Sequence, residues 1–226
     1  MKTLSKTRFR YTEKEMADAF LRLLQLPEGL PEIGGFDGIY REVSCHQGRP
    51  DFIALRYKKD FQGLKLPDCM GLVGPTILTI LKPNAPRTLS FIISRCEFSE
   101  ISVRRALRQL LASGHVKCTG TGSYQLGDAA TQLYAELWAF ELKLNNPKRA
   151  VFQAQQSRAY ANRALIVVPP GQEKHYIRYN TTMTRWGIGV ATFDPANGIF
   201  RLLRRGRNTR AICPQHQIYA LSRIRT

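Results

Sequence analysis

The chain has 226 residues, with 34 Lys and Arg against 17 Asp and Glu and a formal net charge of +17. Its hydrophobic content of 43% excludes a disordered polycation and is enough for a packed core. No apolar run approaches the roughly 20 residues that span a bilayer, and the first residues lack the apolar core of a signal peptide. We therefore expect a cytoplasmic protein with no membrane partner.

The first block, residues 1–70, predicts a helix followed by a hairpin. The helix covers Thr12–Leu26 and begins at a capping-box pattern of Thr12 and Glu15. After a Pro- and Gly-containing loop, strand-like runs at Ile39–Cys45 and Asp51–Tyr57 flank a short, turn-rich connector. Two antiparallel strands are expected here.

The second block, residues 71–127, predicts three helices and a small hairpin. Ser99 can cap the third helix, which ends at Gly114, and a Gly-rich turn joins the hairpin strands. The predicted elements are helices at 75–81, 88–95 and 100–113 and strands at 116–119 and 123–126. This order resembles a winged helix-turn-helix domain, in which the third helix would contact DNA.

Helical spacing assigns the third helix a buried and an exposed face. The buried face would contain Ile101, Ala106, Leu107, Leu110 and Leu111. The exposed face would carry Ser102, Arg104, Arg105 and Arg108, three arginines without compensating acids. Such a face is often only solvated, but beside a Gly-rich wing it favours DNA contact.

The third block, residues 128–226, predicts alternating helices and strands. Strand, helix and strand at short spacing indicate a βαβ unit and a partly parallel sheet. The predicted elements are helices at 128–136 and 147–161 and strands at 137–144, 164–168, 187–193 and 199–203. The chain then ends in a basic segment, since residues 199–226 hold seven arginines and no acid.

The net charge calls for a polyanionic partner, and nucleic acid is favoured over a membrane surface. No segment outside the predicted core helices combines a basic face with a long apolar face. Double-stranded DNA is the expected partner. The residues expected to contact it are Ser102, Arg104, Arg105, Arg108, Lys117, Arg204, Arg205 and Arg207.

Two charged residues on an apolar strand are the strongest chemical signal. In Leu137–Leu144, Glu141 and Lys143 share one face of the strand. Asp51 follows a proline at the start of another apolar strand. If the two strands are neighbours, Asp51 and Glu141 can hold Mg²⁺ beside the lysine, a site suited to phosphodiester hydrolysis. A salt-bridged pair and a turn aspartate are the alternative interpretation.

Pro50-Asp51 and Glu141-Leu142-Lys143 resemble the motif of the PD-(D/E)XK nuclease superfamily, which has a restriction-endonuclease-like fold. The resemblance implies an α/β protein, with a mixed sheet flanked by helices and a winged helix-turn-helix domain inserted between the two halves. It implies catalysis with Mg²⁺, for which Mn²⁺ can substitute. It also places Gln153 near the phosphate or the attacking water, and suggests Glu42, or else Glu15, as a further acidic residue.

Three alternatives stay open at this point. The first is a metal-dependent DNA endonuclease that acts in restriction, phage defence or repair. The second is a non-catalytic DNA-binding regulator built on a decayed nuclease scaffold. The third is an RNA-binding or RNA-cleaving protein. It also stays open whether the parts of the chain before and after residues 71–127 are two unrelated domains. Cutting both strands at one place would require a homodimer. Five cysteines without a CxxC pair argue against a disulfide framework and a structural zinc site.

Overall fold

A computed structural model of the chain describes residues 9–57, 71–120, 122–130 and 135–224. Eight strands occur in these residues, six of them in one mixed sheet and two in a separate small hairpin. In chain order they are β1 (Gly38–Arg41), β2 (Phe52–Tyr57), β3 (Val116–Cys118), β4 (Tyr124–Leu126), β5 (Ala135–Leu142), β6 (Arg163–Val168), β7 (Ile188–Asp194) and β8 (Ile199–Arg204).

Seven α-helices accompany these strands in the described residues. They are α1 (Glu13–Leu24), α2 (Val73–Ile80), α3 (Leu89–Cys96), α4 (Glu100–Ala112), α5 (Pro147–Ser157), α6 (Asn180–Trp186) and α7 (Pro214–Arg223). A 3₁₀ turn at Asp128–Ala130 and a 3₁₀ helix at Glu173–Tyr179 complete the secondary structure. The α/β class and the flanking helices predicted from sequence are confirmed.

The large sheet has the order β1-β2-β5-β6-β7-β8. Its centre is parallel, because β5 pairs with β6 and β6 with β7 in the same direction. The two ends are antiparallel hairpins, β1 with β2 and β7 with β8. Helix α5 connects β5 to β6, so the predicted partly parallel sheet is confirmed.

One face of the sheet is covered by α1. Its capping box is present, with Thr12 and Glu15 exchanging hydrogen bonds. Met16, Phe20 and Leu24 are buried against the sheet, and the Phe20 ring lies edge-on to the Phe140 ring with centroids 5.6 Å apart. Trp138, Phe140 and Leu142 of β5 all belong to this core, as strand alternation predicts.

The opposite face of the sheet is covered by two groups of helices. Near β6 and β7, α5 buries Ala150, Val151 and Ala154. Near β2 and β5, the core includes Ile53 and Leu137 together with buried residues of α2, α4 and α7. The segment between β2 and β5 therefore shares a continuous core with the sheet.

The prediction of a helix at 128–136 is wrong at both of its ends. Asp128 begins only a 3₁₀ turn, and Ala135 and Glu136, expected in a helix, pair as strand residues with Tyr57 and Arg56. Strand pairing overrides the helical preference of this Ala-rich stretch. Residues 131–134 lie outside the described residues.

Three helical segments were missed. The polar stretch after Gly171 forms the 3₁₀ helix and α6, which ends at Gly187 in the left-handed conformation. The C-terminal basic segment contains α7, which begins at Pro214 and buries Ile218 and Leu221. Proline at the first helical position was a readable signal there. None of the described helices is long and apolar enough to cross a membrane.

Candidate functional site

Asp51 and Glu141 meet because their strands are neighbours. β2 and β5 are antiparallel, and Phe52 lies opposite Phe140, so the start of β2 adjoins the end of β5. The Asp51 side chain accepts a hydrogen bond from the Leu142 backbone N–H at 2.7 Å. This bond ties a loop carboxylate to the strand that carries Glu141, across 91 residues of sequence.

The ammonium of Lys143 lies at the centre of three carboxylates. Its Nζ is 2.8 Å from Glu141 Oε1, 3.1 Å from Glu13 Oε1 and 3.5 Å from Asp51 Oδ2. It also donates a hydrogen bond to the Leu142 carbonyl at 2.8 Å. These four charged side chains, which we call the acidic cluster, sum to a formal charge of −2 (one Lys against three acids) in a chain of net charge +17.

Glu13 is the member of the acidic cluster that the sequence did not identify. It lies in the first turn of α1, and the packing of Phe20 and Leu24 on the sheet brings that turn to the end of β5. Its Oε2 accepts from the Leu144 N–H at 3.4 Å. No short motif links Glu13 to Lys143, which follows it by 130 residues.

The two acids named as possible third members have other partners. Glu15 is occupied by the Thr12 capping box. Glu42 forms an exposed ion pair with Arg49, with 2.5 Å between Nη2 and Oε2. It lines, with Asp51 and Glu13, a cleft of about 190 Å³ that opens beside the acidic cluster.

Burial changes the proton affinity of each group in the acidic cluster. Burial and the nearby Asp51 raise the pKa of Glu141 to about 7, although Lys143 opposes the change. Burial also raises the pKa of Asp51 against the effect of Lys143. For Lys143, burial acts to lower the pKa, but Asp51, Glu141 and Glu13 together raise it, so the lysine is charged at neutral pH.

The donor set suits a hard divalent cation. Both carboxylate oxygens of Glu141 are buried. Oε1 lies 2.8 Å from the Lys143 ammonium, and Oε2 has no hydrogen-bond partner among the described residues. Mg²⁺ is commonly held by one or two carboxylates, with waters and phosphate oxygens completing the shell. Asp51 and Glu141 supply such a pair. Within the described ranges, no group of three or more His, Cys, Asp or Glu side chains is placed to hold a metal ion.

Gln153 lies on α5, on the same side of the sheet as Ala150 and Ala154. Its Oε1 is buried and has no hydrogen-bond partner among the described residues. Its predicted place near the phosphate stays a prediction.

The exposed face of α4 carries its arginines in one stripe. Arg104, Arg105 and Arg108 are exposed, and Ser102 is partly buried, with its hydroxyl 2.9 Å from that of the capping residue Ser99. The expectation that all three arginines lack a compensating acid is wrong for Arg104, which pairs with Glu100 one helical turn earlier at 2.6 Å. Arg105 and Arg108 have no ion pair with a described residue.

The prediction that Ile101 is buried is wrong, because its side chain is 80% exposed. Val103 takes the buried position, together with Ala106, Leu107 and Leu110. The spacing of these four positions forms one helical stripe, and Ile101 lies about 200° from Val103 around the axis. Ile101 therefore shares the exposed face with the three arginines.

The remaining predicted DNA-binding residues are spread over several elements. Lys117 on β3 lies 3.6 Å from Asp128. Arg204 is bound to Asn180 and Thr184 of α6, and Arg205 donates to the Glu32 carbonyl at 2.7 Å. Arg207 is exposed. Of these four residues, Lys117 lies on a strand that packs against α4.

Comparison of the chain with protein-family models, with curated proteins and with solved structures found no match. The resemblance noted above therefore depends on the motif residues and their placement alone.

Proposed function

We propose that the protein is a metal-dependent DNA endonuclease with a restriction-endonuclease-like domain of the PD-(D/E)XK type. The observation that carries the proposal is the acidic cluster. In it, Asp51, Glu141 and Glu13 surround the buried Lys143 where the start of β2 adjoins the end of β5. The carboxylate of Glu141 is almost fully buried, and buried carboxylate charge is costly unless a cation offsets it. Glu141 Oε2, buried and without a hydrogen-bond partner among the described residues, supports such a ligand.

Asp51 and Glu141 would hold the cation, with Glu13 at the open side of the cluster, where its side chain is 46% exposed. Mg²⁺ or Mn²⁺ bound there would polarise the scissile phosphate and acidify a bound water. Lys143, kept protonated by its three neighbours, would donate hydrogen bonds to the developing charge on phosphate oxygens. Its ammonium is already fixed by the Leu142 carbonyl and needs little reorganisation.

The segment from α2 to β4 would act as a winged helix-turn-helix domain that holds duplex DNA. Its three helices and antiparallel hairpin follow one another in the required order. Arg104 and Arg108 of α4 border a groove of about 370 Å³ between α3, α4 and β4. A surface of this kind and a net charge of +17 favour many phosphate contacts.

A non-catalytic DNA-binding regulator is the second candidate, and one observation favours it. Lys143 Nζ already lies within 3.5 Å of an oxygen of each carboxylate, so the cluster can be satisfied as an internal ion-pair network. Under this alternative, DNA binding is retained and the cation site has no function.

Cleavage of supercoiled plasmid and linear duplex tests the proposal, with Mg²⁺, with Mn²⁺ and with EDTA. We expect metal-dependent nicking or cutting that Glu141→Ala reduces by at least about 100-fold, while gel-shift binding of the same DNA persists. Glu42→Ala is the matched control, because this acid lies at the same cleft but pairs with Arg49. Tight binding with no cleavage in either metal would reject the endonuclease in favour of the regulator.

A further inference from the structure

A groove on the outer side of α5 differs in character from the acidic cluster. It encloses about 310 Å³, and no charged side chain lines it. Its lining comes from four separate segments and includes Gln47, Phe152, Gln155, Gln156, Trp186 and Ile212. We propose that this groove binds a single unstacked nucleobase of the DNA, an inference that rests on the nucleic-acid binding of the proposed function.

The aromatic side chains of the groove provide a surface for stacking. Phe152 is 57% exposed on the outer face of α5, and Ile212 is 55% exposed across the groove. Trp186, at the end of α6, is partly buried in the same lining. Exposed aromatic rings beside a concave surface are the usual platforms on which single bases stack.

Three amide side chains supply groups that can bind the edge of a base. The side chains of Gln47, Gln155 and Gln156 form no hydrogen bond with any other residue that the structure describes, although all three line the groove. Each amide offers two donors and an acceptor. A purely apolar occupant would leave these groups without partners, whereas the edge of a base presents both donors and acceptors.

The size and surroundings of the groove agree with this occupant. A volume of about 310 Å³ lies near the lower end of the range for small-molecule sites, about 300–1,000 Å³. Lys148 and Arg149, both exposed, precede Phe152 by one turn of α5, and exposed Arg210 lies two residues before Ile212. Basic residues on both sides can bind the phosphates that flank the base.

The groove is connected to the acidic cluster by two short segments. Gln47 belongs to the loop that leads, four residues later, into Asp51. Helix α5 begins at Pro147, four residues after Lys143. A site for a single base in the groove would favour DNA with an unpaired nucleotide over a continuous duplex.

Binding of three matched duplexes in EDTA tests this inference, measured by fluorescence anisotropy. One duplex is fully paired, one has a single unpaired central nucleotide, and one has an abasic residue at that position. We expect the unpaired nucleotide to bind at least about fivefold more tightly than the abasic bulge, which has similar flexibility but no base. Phe152→Ala should remove this difference and leave affinity for the paired duplex unchanged.

Two variants sharpen the test. Ile177→Ala is the matched control, because Ile177 is 73% exposed outside the groove, and it should preserve the fivefold difference. Gln155→Leu should reduce the difference by removing an amide that meets the base edge. Equal binding of the base and abasic bulges, or a difference that survives Phe152→Ala, would overturn the inference alone. Failure to bind any duplex would overturn both it and the proposed function.

Discussion

The acidic cluster and the exposed face of α4 place charge in opposite environments. In the cluster, Glu141 is 2% exposed and Lys143 8% exposed, and each ammonium–carboxylate distance is 3.5 Å or less. On α4, Arg105 and Arg108 face solvent without an ion pair to a described residue. Buried charges interact strongly and shift one another's pKa, while exposed charges act weakly and are screened by salt.

This difference indicates two kinds of function. Under the proposed function, a cation bound at the cluster would offset the unfavourable charge of the buried Glu141 carboxylate. Under the proposed function, the exposed arginines would contribute separately and almost additively to the attraction of DNA. Variants in the cluster should therefore change stability and chemistry, whereas variants on α4 should change affinity and its salt dependence.

The two faces of α4 provide the largest expected effect on stability. Leu110 is fully buried, so Leu110→Ala should lower the free energy of unfolding by about 2–5 kcal/mol through lost contacts and a cavity. Ile101→Ala should change it by no more than about 0.5 kcal/mol, because Ile101 is 80% exposed. Urea denaturation measures both. A large loss of unfolding free energy for Ile101→Ala would show that Ile101 faces the core, contrary to this structure.

Replacing Glu141 by the neutral glutamine should stabilise the protein relative to the wild type, and this difference should grow as the pH rises. The pKa of Glu141 is raised from 4.5 to about 7, so the folded state binds more protons than the unfolded state between these values. Stability contributed by this group is therefore present below pH 4.5 and lost as the pH approaches and passes 7. Glu141→Gln should exceed the wild type by about 1–3 kcal/mol at pH 8 without metal, and by little at pH 4.5.

Thermal or urea unfolding of both proteins across pH 4.5–8 measures this difference. Glu42→Gln serves as the control, since Glu42 is exposed and paired with Arg49 at the surface. Its difference from the wild type should not grow with pH in the same way. If Glu141→Gln is less stable than the wild type at pH 8, the ionised Glu141 carboxylate does not destabilise the folded state and the prediction is wrong.

The smallest expected effects separate two neighbouring arginines on α4. Arg105→Ala should weaken DNA binding and reduce the slope of log K against log salt by about 0.9, the value for one phosphate contact. Arg104→Ala should reduce that slope less, because Glu100 already pairs with its guanidinium at 2.6 Å. Anisotropy titrations at several salt concentrations measure the slopes. Equal slopes for the two variants would contradict the assignment.

Local signals predicted much of the fold and part of the cluster. The Thr12 capping box, the alternating pattern of β5 and the hairpin before Tyr57 each act over a few residues, and all are present. The pairing of Asp51 with Glu141 and Lys143 followed from assuming that their strands are neighbours, and they are.

The remaining features depend on contacts that sequence spacing does not reveal. Glu13 joins the cluster because α1 packs on the sheet, which no motif reports. The pairing of Ala135 with Tyr57 converts a helical sequence into strand. Ile101 was placed on the wrong side of α4, since the stripe that begins at Val103 was not recognised.

The central claim is that the acidic cluster binds a divalent cation, and Mn²⁺ binding to the purified protein tests it most directly. Electron paramagnetic resonance of free Mn²⁺, titrated with protein at pH 8, gives the number of bound ions and the Kd. We predict one ion per chain, lost in Glu141→Gln and retained in Glu42→Gln. Binding that is absent in the wild type, or equally strong in Glu141→Gln, would contradict the claim.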